Sequence, residues 1–284
     1  MLQGVATSVS GSVHETQVIG VIHEQRLAST YLNTLDNPEG TAVIPFLFTN
    51  KLYRRQQEDP HEFLFNAING VLAPHQAPTL HALLCGRDHP WLVCSNSSCS
   101  HIATTGQPWR RRATGYDDFT NISLPLVQQN DKETGTVSAC YSSVQEALTA
   151  FLKPERMSTG FAWTCQVCGS TAPPFKESHI THTPQVLMLQ LKRWAAREER
   201  GALLNRVKPN RVITFAGHQY SLCSFVCHQG TSAKSGHYTC CVKHPCPRGD
   251  WWYYNNSVRR LARDCDMETT DDERTYLLWY ERLG

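Results

Sequence analysis

Pro184-Gln185-Val186-Leu187-Met188-Leu189-Gln190-Leu191-Lys192-Arg193-Trp194 is the stretch that decides the fold class. Leu187, Leu189 and Leu191 recur at every second position, the period at which side chains of a β-strand return to the same face. Beyond it, Tyr220 to His228 and His237 to Lys243 are further strand candidates, and Trp251 to Asn255 and Tyr276 to Tyr280 carry the aromatic side chains that suit a pleated surface. Toward the N-terminus the period changes. Asp59-Pro60-His61-Glu62-Phe63-Leu64 begins a helix in which Phe63, Ala67 and Val71 fall four apart, as do Leu64, Ile68 and Leu72, until Pro74 stops it. Between the two regions, Cys94 to Cys168 reads as a loop-rich middle with one helix near Val144 to Phe151. A helical N-terminal part followed by a β-rich C-terminal part predicts an α+β architecture. The first thirty residues are small and polar and predict no clear element, and no internal repeat is present.

Composition narrows the function classes. The 284 residues are 40% hydrophobic and 18% charged, with 27 basic against 25 acidic side chains and a net charge of +2. That is the make-up of a globular protein, and it gives no general attraction to nucleic acid or acidic membranes. No run approaches the ~18 apolar residues of a spanning helix, and Met1 to Gln25 has no basic region followed by an apolar core. The expectation is an intracellular protein of cytoplasm or nucleus, with no membrane partner. Oligomeric state is left open. For a chain of this kind, its 12 cysteines point to metal binding or catalysis ahead of crosslinking.

Three clusters carry chemistry. Cys94-x4-Cys99 and Cys165-x2-Cys168 form two pairs, each able to present two thiolates to one tetrahedral ion. Four thiolates leave no open coordination position, so the expected cofactor is a structural Zn2+. The plainer reading keeps Cys94 and Cys99 as ordinary thiols, because four intervening residues replace the more usual two. Next, Ser235-Gly236-His237-Tyr238 places His237 after a flexible residue and before a strand, and such a histidine is able to serve as a general base. Trp251-Trp252-Tyr253-Tyr254-Asn255-Asn256 can return beside that strand and bring Asn255 to the imidazole as an orienting partner. A surface histidine is the plainer alternative. Lastly, Asp59 and Glu62 flank a helix start, as a capping box or as an acidic pair for a basic peptide tail.

Taken together these residues resemble the ubiquitin-specific protease family of papain-like cysteine deubiquitinases. Gln57 to Leu64 is similar to the family's glutamine-aspartate box, Tyr116 to Leu126 to the segment after its first zinc knuckle, and Trp163 to Cys168 to its second knuckle. Leu189-Gln190-Leu191-Lys192-Arg193-Trp194 follows in family order, with Trp194 where phenylalanine is usual. Tyr220-Ser221-Leu222, His228-Gln229-Gly230 and Ser235 to Tyr238 resemble the histidine box, and Tyr276-Leu277-Leu278-Trp279-Tyr280 the closing strand. The resemblance implies a hand of helical thumb, zinc-bearing fingers and β-rich palm. It implies a poorly specified segment over 1–30 and the protease domain over 31–284, with fingers about 86–183 and palm about 184–284. It also implies His237 as catalytic base, Asn255 as its orienting partner and Asn256 as oxyanion support. Asp59, Glu62 and Tyr238 would contact ubiquitin, and the partner would be ubiquitin or a ubiquitinated protein.

One part of the family pattern is missing. Its nucleophilic cysteine lies upstream of the glutamine-aspartate box, whereas the first cysteine here is Cys85. The expectation is therefore a ubiquitin-binding domain that hydrolyses nothing, or an active deubiquitinase whose sequence is incomplete at Met1. A zinc-ribbon scaffold or nucleic-acid binder is the alternative from another class, prompted by the four cysteines and by Trp109-Arg110-Arg111-Arg112. Three arginines on a chain of net charge +2 read more simply as a solvated face.

Overall fold

The computed structural model describes residues 59–62, 78–126, 140–194, 206–232, 235–243, 249–256, 258–267 and 273–284. The first thirty residues, and the predicted helix beyond Glu62, lie outside the described residues. Helix α1 is Pro78–Leu84, followed by strands β1 Gly86–Asp88 and β2 Trp91–Val93. Helix α2, Ser100–Thr105, leads to β3 Arg110–Arg112, β4 Asp117–Phe119 and β5 Ile122–Pro125. Helix α3, Val144–Phe151, precedes β6 Glu155–Arg156, β7 Phe175–Glu177, β8 Ile180–His182 and β9 Val186–Lys192. The chain then runs through β10 Val212–Phe215, β11 His218–Ser232, β12 Ser235–Lys243, β13 Trp251–Asn255, β14 Val258–Leu261 and β15 Glu273–Arg282.

Eight strands make the main sheet, in the order β14-β13-β12-β11-β15-β9-β5 with β10 beside β11. Every pair in it is antiparallel except β5 with β9. The alternation predicted for β9 is present, but both of its faces are covered. Leu187, Leu189 and Leu191 enter the principal core beside Leu124, Phe225 and Leu278. Val186 and Met188, on the opposite face, pack with Leu83 and Leu84 at the end of α1. A strand buried on both faces reads as a continuous apolar run, as Val186 to Leu189 does.

Helix α3 closes one side of this core. Ser143 caps it by accepting the Glu146 backbone N–H at 3.3 Å, while the Glu146 carboxylate accepts the backbone N–H of Ser142 at 2.8 Å. Val144, Ala147 and Leu148, at the i, i+3, i+4 spacing of one helix face, are fully buried. Burying a side chain such as Leu148 contributes about 1.5–3 kcal/mol. Two buried tyrosines tie loops to the sheet: the Tyr220 hydroxyl donates to the Pro184 carbonyl at 2.7 Å and that of Tyr280 to the Asn210 carbonyl at 2.9 Å.

The middle of the chain is less loop-rich than its sequence predicts. It contains a three-stranded sheet, β4-β1-β8, and a four-stranded one, β3-β2-β7-β6. Their strands are two to three residues long, too short for a period to show. Cross-strand pairing supplies the register: Arg87 lies opposite Asp118 and donates two hydrogen bonds to it, at 2.6 and 2.9 Å. Among the described residues no helix is long and apolar enough to cross a membrane.

Leu189→Ala is expected to cost about 2–5 kcal/mol, seen as a lower urea midpoint with an unchanged slope. Val242→Ala, at an exposed position of β12, is expected to stay within about 0.5 kcal/mol of the parent.

Candidate active site and thiolate cluster

Strands β12 and β13 pair from Cys240 opposite Tyr254 to Lys243 opposite Trp251, which sets His237 and Asn255 side by side just past the ladder. The His237 Nε2 atom lies 2.7 Å from the Asn255 Oδ1 atom, and the Asn255 Nδ2 atom donates to the Tyr253 hydroxyl at 3.2 Å. An amide oxygen only accepts, so Nε2 is the donor in this pair, and in the neutral ring the lone pair is then at Nδ1. The pair is therefore arranged to take a proton at Nδ1 while the amide holds the ring. Asn256 follows at the turn between β13 and β14, exposed and in the left-handed region with φ of 50°.

The backbone ahead of His237 admits no side chain. Gly236 has φ of 150°, and a Cβ there would collide with the Gln229 carbonyl oxygen and the His228 ring. His228 itself is 1% exposed. Its ring lies edge-on to Trp194 at 5.1 Å and tilted against Tyr238 at 4.7 Å, so it forms the packed floor beneath the histidine strand. Burial pushes His228 below its ordinary 6.5, and the Arg274 charge works in the same direction. Nearby, Arg193 is also 1% exposed, and its Nε donates to the Thr275 carbonyl at 2.6 Å. Burial and then Arg274 bring its guanidinium down to about 10.

Asp59 reaches this floor from the other end of the sequence. One carboxylate oxygen accepts the backbone N–H groups of His61 and Glu62 at 2.7 and 3.1 Å, which is the predicted helix cap. The other accepts the Tyr276 hydroxyl at 2.7 Å. Tyr276 in turn accepts from Gln190 Nε2 at 2.9 Å, and Gln190 Oε1 accepts from Ser123 at 2.7 Å. Tyr276 also packs edge-on to Trp194 at 4.7 Å and lies 6.3 Å from Tyr238. The structure thus brings Asp59 and Tyr238 to one cluster, while Glu62 is exposed. Sequence reasoning placed His228, Gln190 and Tyr276 in strands without giving them this role; Gln190, Tyr276 and Asp59 lie far apart in the chain.

The four paired cysteines converge. Their sulfur atoms all lie within 4.8 Å of one another, with Cys94 and Cys168 3.9 Å apart. Leu92 and Trp163 pack against them, and the side-chain amide of Asn96 donates to Cys168 at 3.5 Å. The Ser170 backbone N–H is the first cause holding Cys168 down to about 7, whereas burial pushes Cys94 up to about 12. This donor set can hold one metal ion.

A model of the ubiquitin carboxyl-terminal hydrolase family matches residues 27–280, so the chain belongs to that family. The mouse ubiquitin carboxyl-terminal hydrolase 17-like protein E is 26% identical over 82% of this chain and 42% of its own length. Human ubiquitin carboxyl-terminal hydrolase 42 is 25% identical over 87% of this chain and 18% of its own. The chain thus spans less than half the length of these relatives. Among solved structures, the SAGA DUB module Ubp8/Sgf11/Sus1/Sgf73 bound to monoubiquitin matches with a TM-score of 0.61 and 23% identity, covering 81% of this chain and 49% of that one. The fold is accordingly the α+β, papain-like one of the ubiquitin-specific proteases.

The depressed His228 sets a pH dependence. Below about 6.5 the unfolded chain takes up a proton there that the folded ring resists, so stability falls as pH drops through that value. His228→Phe is expected to reduce the loss of stability between pH 7 and pH 5, measured by urea unfolding at both. An unchanged loss would show that His228 is not its source.

Proposed function

We propose that this chain is a ubiquitin-binding domain of the deubiquitinase family in which His237 and Asn255 form the general base and its orienting amide, and that none of the cysteines within residues 1–284 serves as the thiol nucleophile. The observation that carries the reading is the 2.7 Å His237–Asn255 pair in a sequence with no cysteine ahead of Cys85. In this reading His237 is the base, Asn255 holds it, and exposed Asn256 stands where an oxyanion would form. Asp59, Glu62 and Tyr238 face the tail of ubiquitin. The relative in the matched SAGA module is bound to monoubiquitin, which favours ubiquitin or a ubiquitinated protein as the partner.

The cysteines near the histidine are poorly suited to act as a nucleophile. Burial pushes Cys240 up and carries Cys223 up to about 12, so neither thiolate is favoured near neutral pH. Cys227 and Cys241 are buried, the latter with its thiol directed at the Asp266 carbonyl at 3.5 Å. Nucleophilic catalysis needs the opposite environment, a thiolate lowered by a helix N-terminus or an imidazolium.

Zinc is the metal this reading assigns to Cys94, Cys99, Cys165 and Cys168. Tetrahedral coordination with Zn–S bonds of ~2.3 Å puts ligand sulfurs about 3.8 Å apart, and Cys94 and Cys168 stand at 3.9 Å. Bound there, zinc ties the loop after β2 to the loop before β7, a structural role with no open coordination position. A strong chelator is expected to lower the melting temperature and red-shift the emission of Trp163, which packs on the cysteines. A melt that ignores the chelator would remove zinc from the account.

Incubation with a ubiquitin probe bearing a thiol-reactive C-terminal warhead, read by intact mass, tests the function. Saturable monoubiquitin binding without an adduct is expected, with His237→Ala binding within about twofold of the parent. A covalent adduct, or turnover of a fluorogenic ubiquitin substrate that His237→Ala abolishes, would overturn it.

A further inference from the structure

The arginine run of β3 sits in the four-stranded sheet, away from the histidine. Trp91 pairs with Arg112 and with Glu177, and Val93 with Arg110 and with Phe175. Strand alternation puts these six residues on one face, and Leu92, Arg111 and Lys176 on the other. The second face is accounted for: Leu92 packs on the cysteine cluster and Arg111 lies over Trp163 at 5.2 Å. The first face has no such use.

Among the described residues Arg112 has no carboxylate partner, and Arg110 has only a long one. Arg112 lies over the Trp91 ring at 4.7 Å and donates to His89 Nδ1 at 3.3 Å and His179 Nε2 at 3.4 Å. His89 Nε2 is 3.1 Å from the Ala113 carbonyl, which fixes the proton there and leaves Nδ1 to accept. Two imidazoles thus hold the Arg112 side chain in place, and neither is a carboxylate that would cancel its charge. Arg110 lies over the same ring at 5.3 Å, and its ion-pair partner is Glu177 at 3.9 Å, a long, exposed contact of little strength.

Beside these arginines is a cavity of about 300 Å³ whose lining includes Val93, Ile102, Pro154 and Phe175, and which borders the thiolate cluster at Cys94 and Asn96. Ser95 also lines it, and its buried hydroxyl has no hydrogen-bond partner among the described residues. The volume is at the low end of side-chain-accepting sites, and the walls are mainly apolar. Because Val93 lies opposite Arg110 in the ladder and Glu177 touches it, the cavity and the cationic rim form one surface.

We propose that this face docks an acidic peptide segment of a partner protein, with one bulky apolar side chain in the cavity and flanking carboxylates on Arg110 and Arg112. Each half of the surface matches one half of that ligand: guanidinium groups favour carboxylates in forked geometry, and a desolvated apolar anchor is the usual centre of a peptide interface. The buried Ser95 hydroxyl offers a hydrogen bond to the peptide backbone. A nucleic-acid strand fits less well, because two guanidinium groups already lie over the Trp91 ring and would compete with a stacking base. The site is separate from the histidine pair and does not depend on the ubiquitin reading.

A phage-displayed library of random nine-residue peptides, panned on the whole chain, tests this. Enriched sequences are expected to carry several Asp or Glu around one Leu, Met, Phe or Trp. A synthetic peptide of the top sequence is expected to lose at least tenfold in affinity to Arg110→Glu/Arg112→Glu and to Pro154→Glu, all at exposed positions, with melting temperatures unchanged. Arg112→Gln serves if the double variant melts early. No enrichment, enrichment of basic peptides, or equal binding by the variants would overturn the proposal. So would displacement of the peptide by monoubiquitin or by a single-stranded oligonucleotide.

Discussion

The pairing of β11 on both of its edges is the constraint on which the rest of the molecule depends. This strand runs from His218 to Ser232, hydrogen-bonded to β10 and β12 along one edge and to β15 along the other. Because one residue of slip would turn every side chain to the opposite face, its register fixes Phe225 in the core and His228 beneath the histidine strand. It also sets Gln229 opposite His237, so the position of the base follows from that of the central strand. Gly236 is the residue that lets the two strands approach so closely.

Two kinds of polar order are built on this frame. At the histidine, donors and acceptors from neighbouring strands converge over short distances, and the imidazole proton is placed by an amide that is itself held by Tyr253. At the cysteine cluster, two loops far apart in sequence bring four thiols together, with Trp163 and Leu92 packed around them. The first depends on the sheet for its precision. The second lies beside three-residue strands that have little apolar surface of their own.

What was legible in the sequence was local or periodic. The alternation of Leu187, Leu189 and Leu191, the helix over Val144 to Phe151 and the cysteine spacings each carry their signal within a few residues, and each corresponds to a described element. His237 and Asn255 were also legible as neighbours, because a single hairpin joins them. The two small sheets were not, since two or three residues cannot display a period. Nor was the burial of Arg193, whose carbonyl partner at Thr275 lies 82 residues away. The same limit hid the link from Asp59 to Tyr276: a single hydrogen bond between distant residues leaves no pattern in the sequence.

That last link has a consequence for how the chain is made. Asp59 and Tyr276 are separated by 217 residues. At a synthesis rate of ~5–20 residues per second, about 10–40 s pass between the emergence of one and the other. β11 is complete at Ser232 and β15 begins only at Glu273, so for roughly the last 2–8 s of that interval β11 has no β15 to pair with, and a long strand with an open edge is a template for pairing with other chains. The nascent polypeptide therefore carries its greatest aggregation hazard late, after most of its core residues have been made. Its last strand is what removes the hazard, so a ribosome that stalls before Glu273 leaves a product in need of a chaperone.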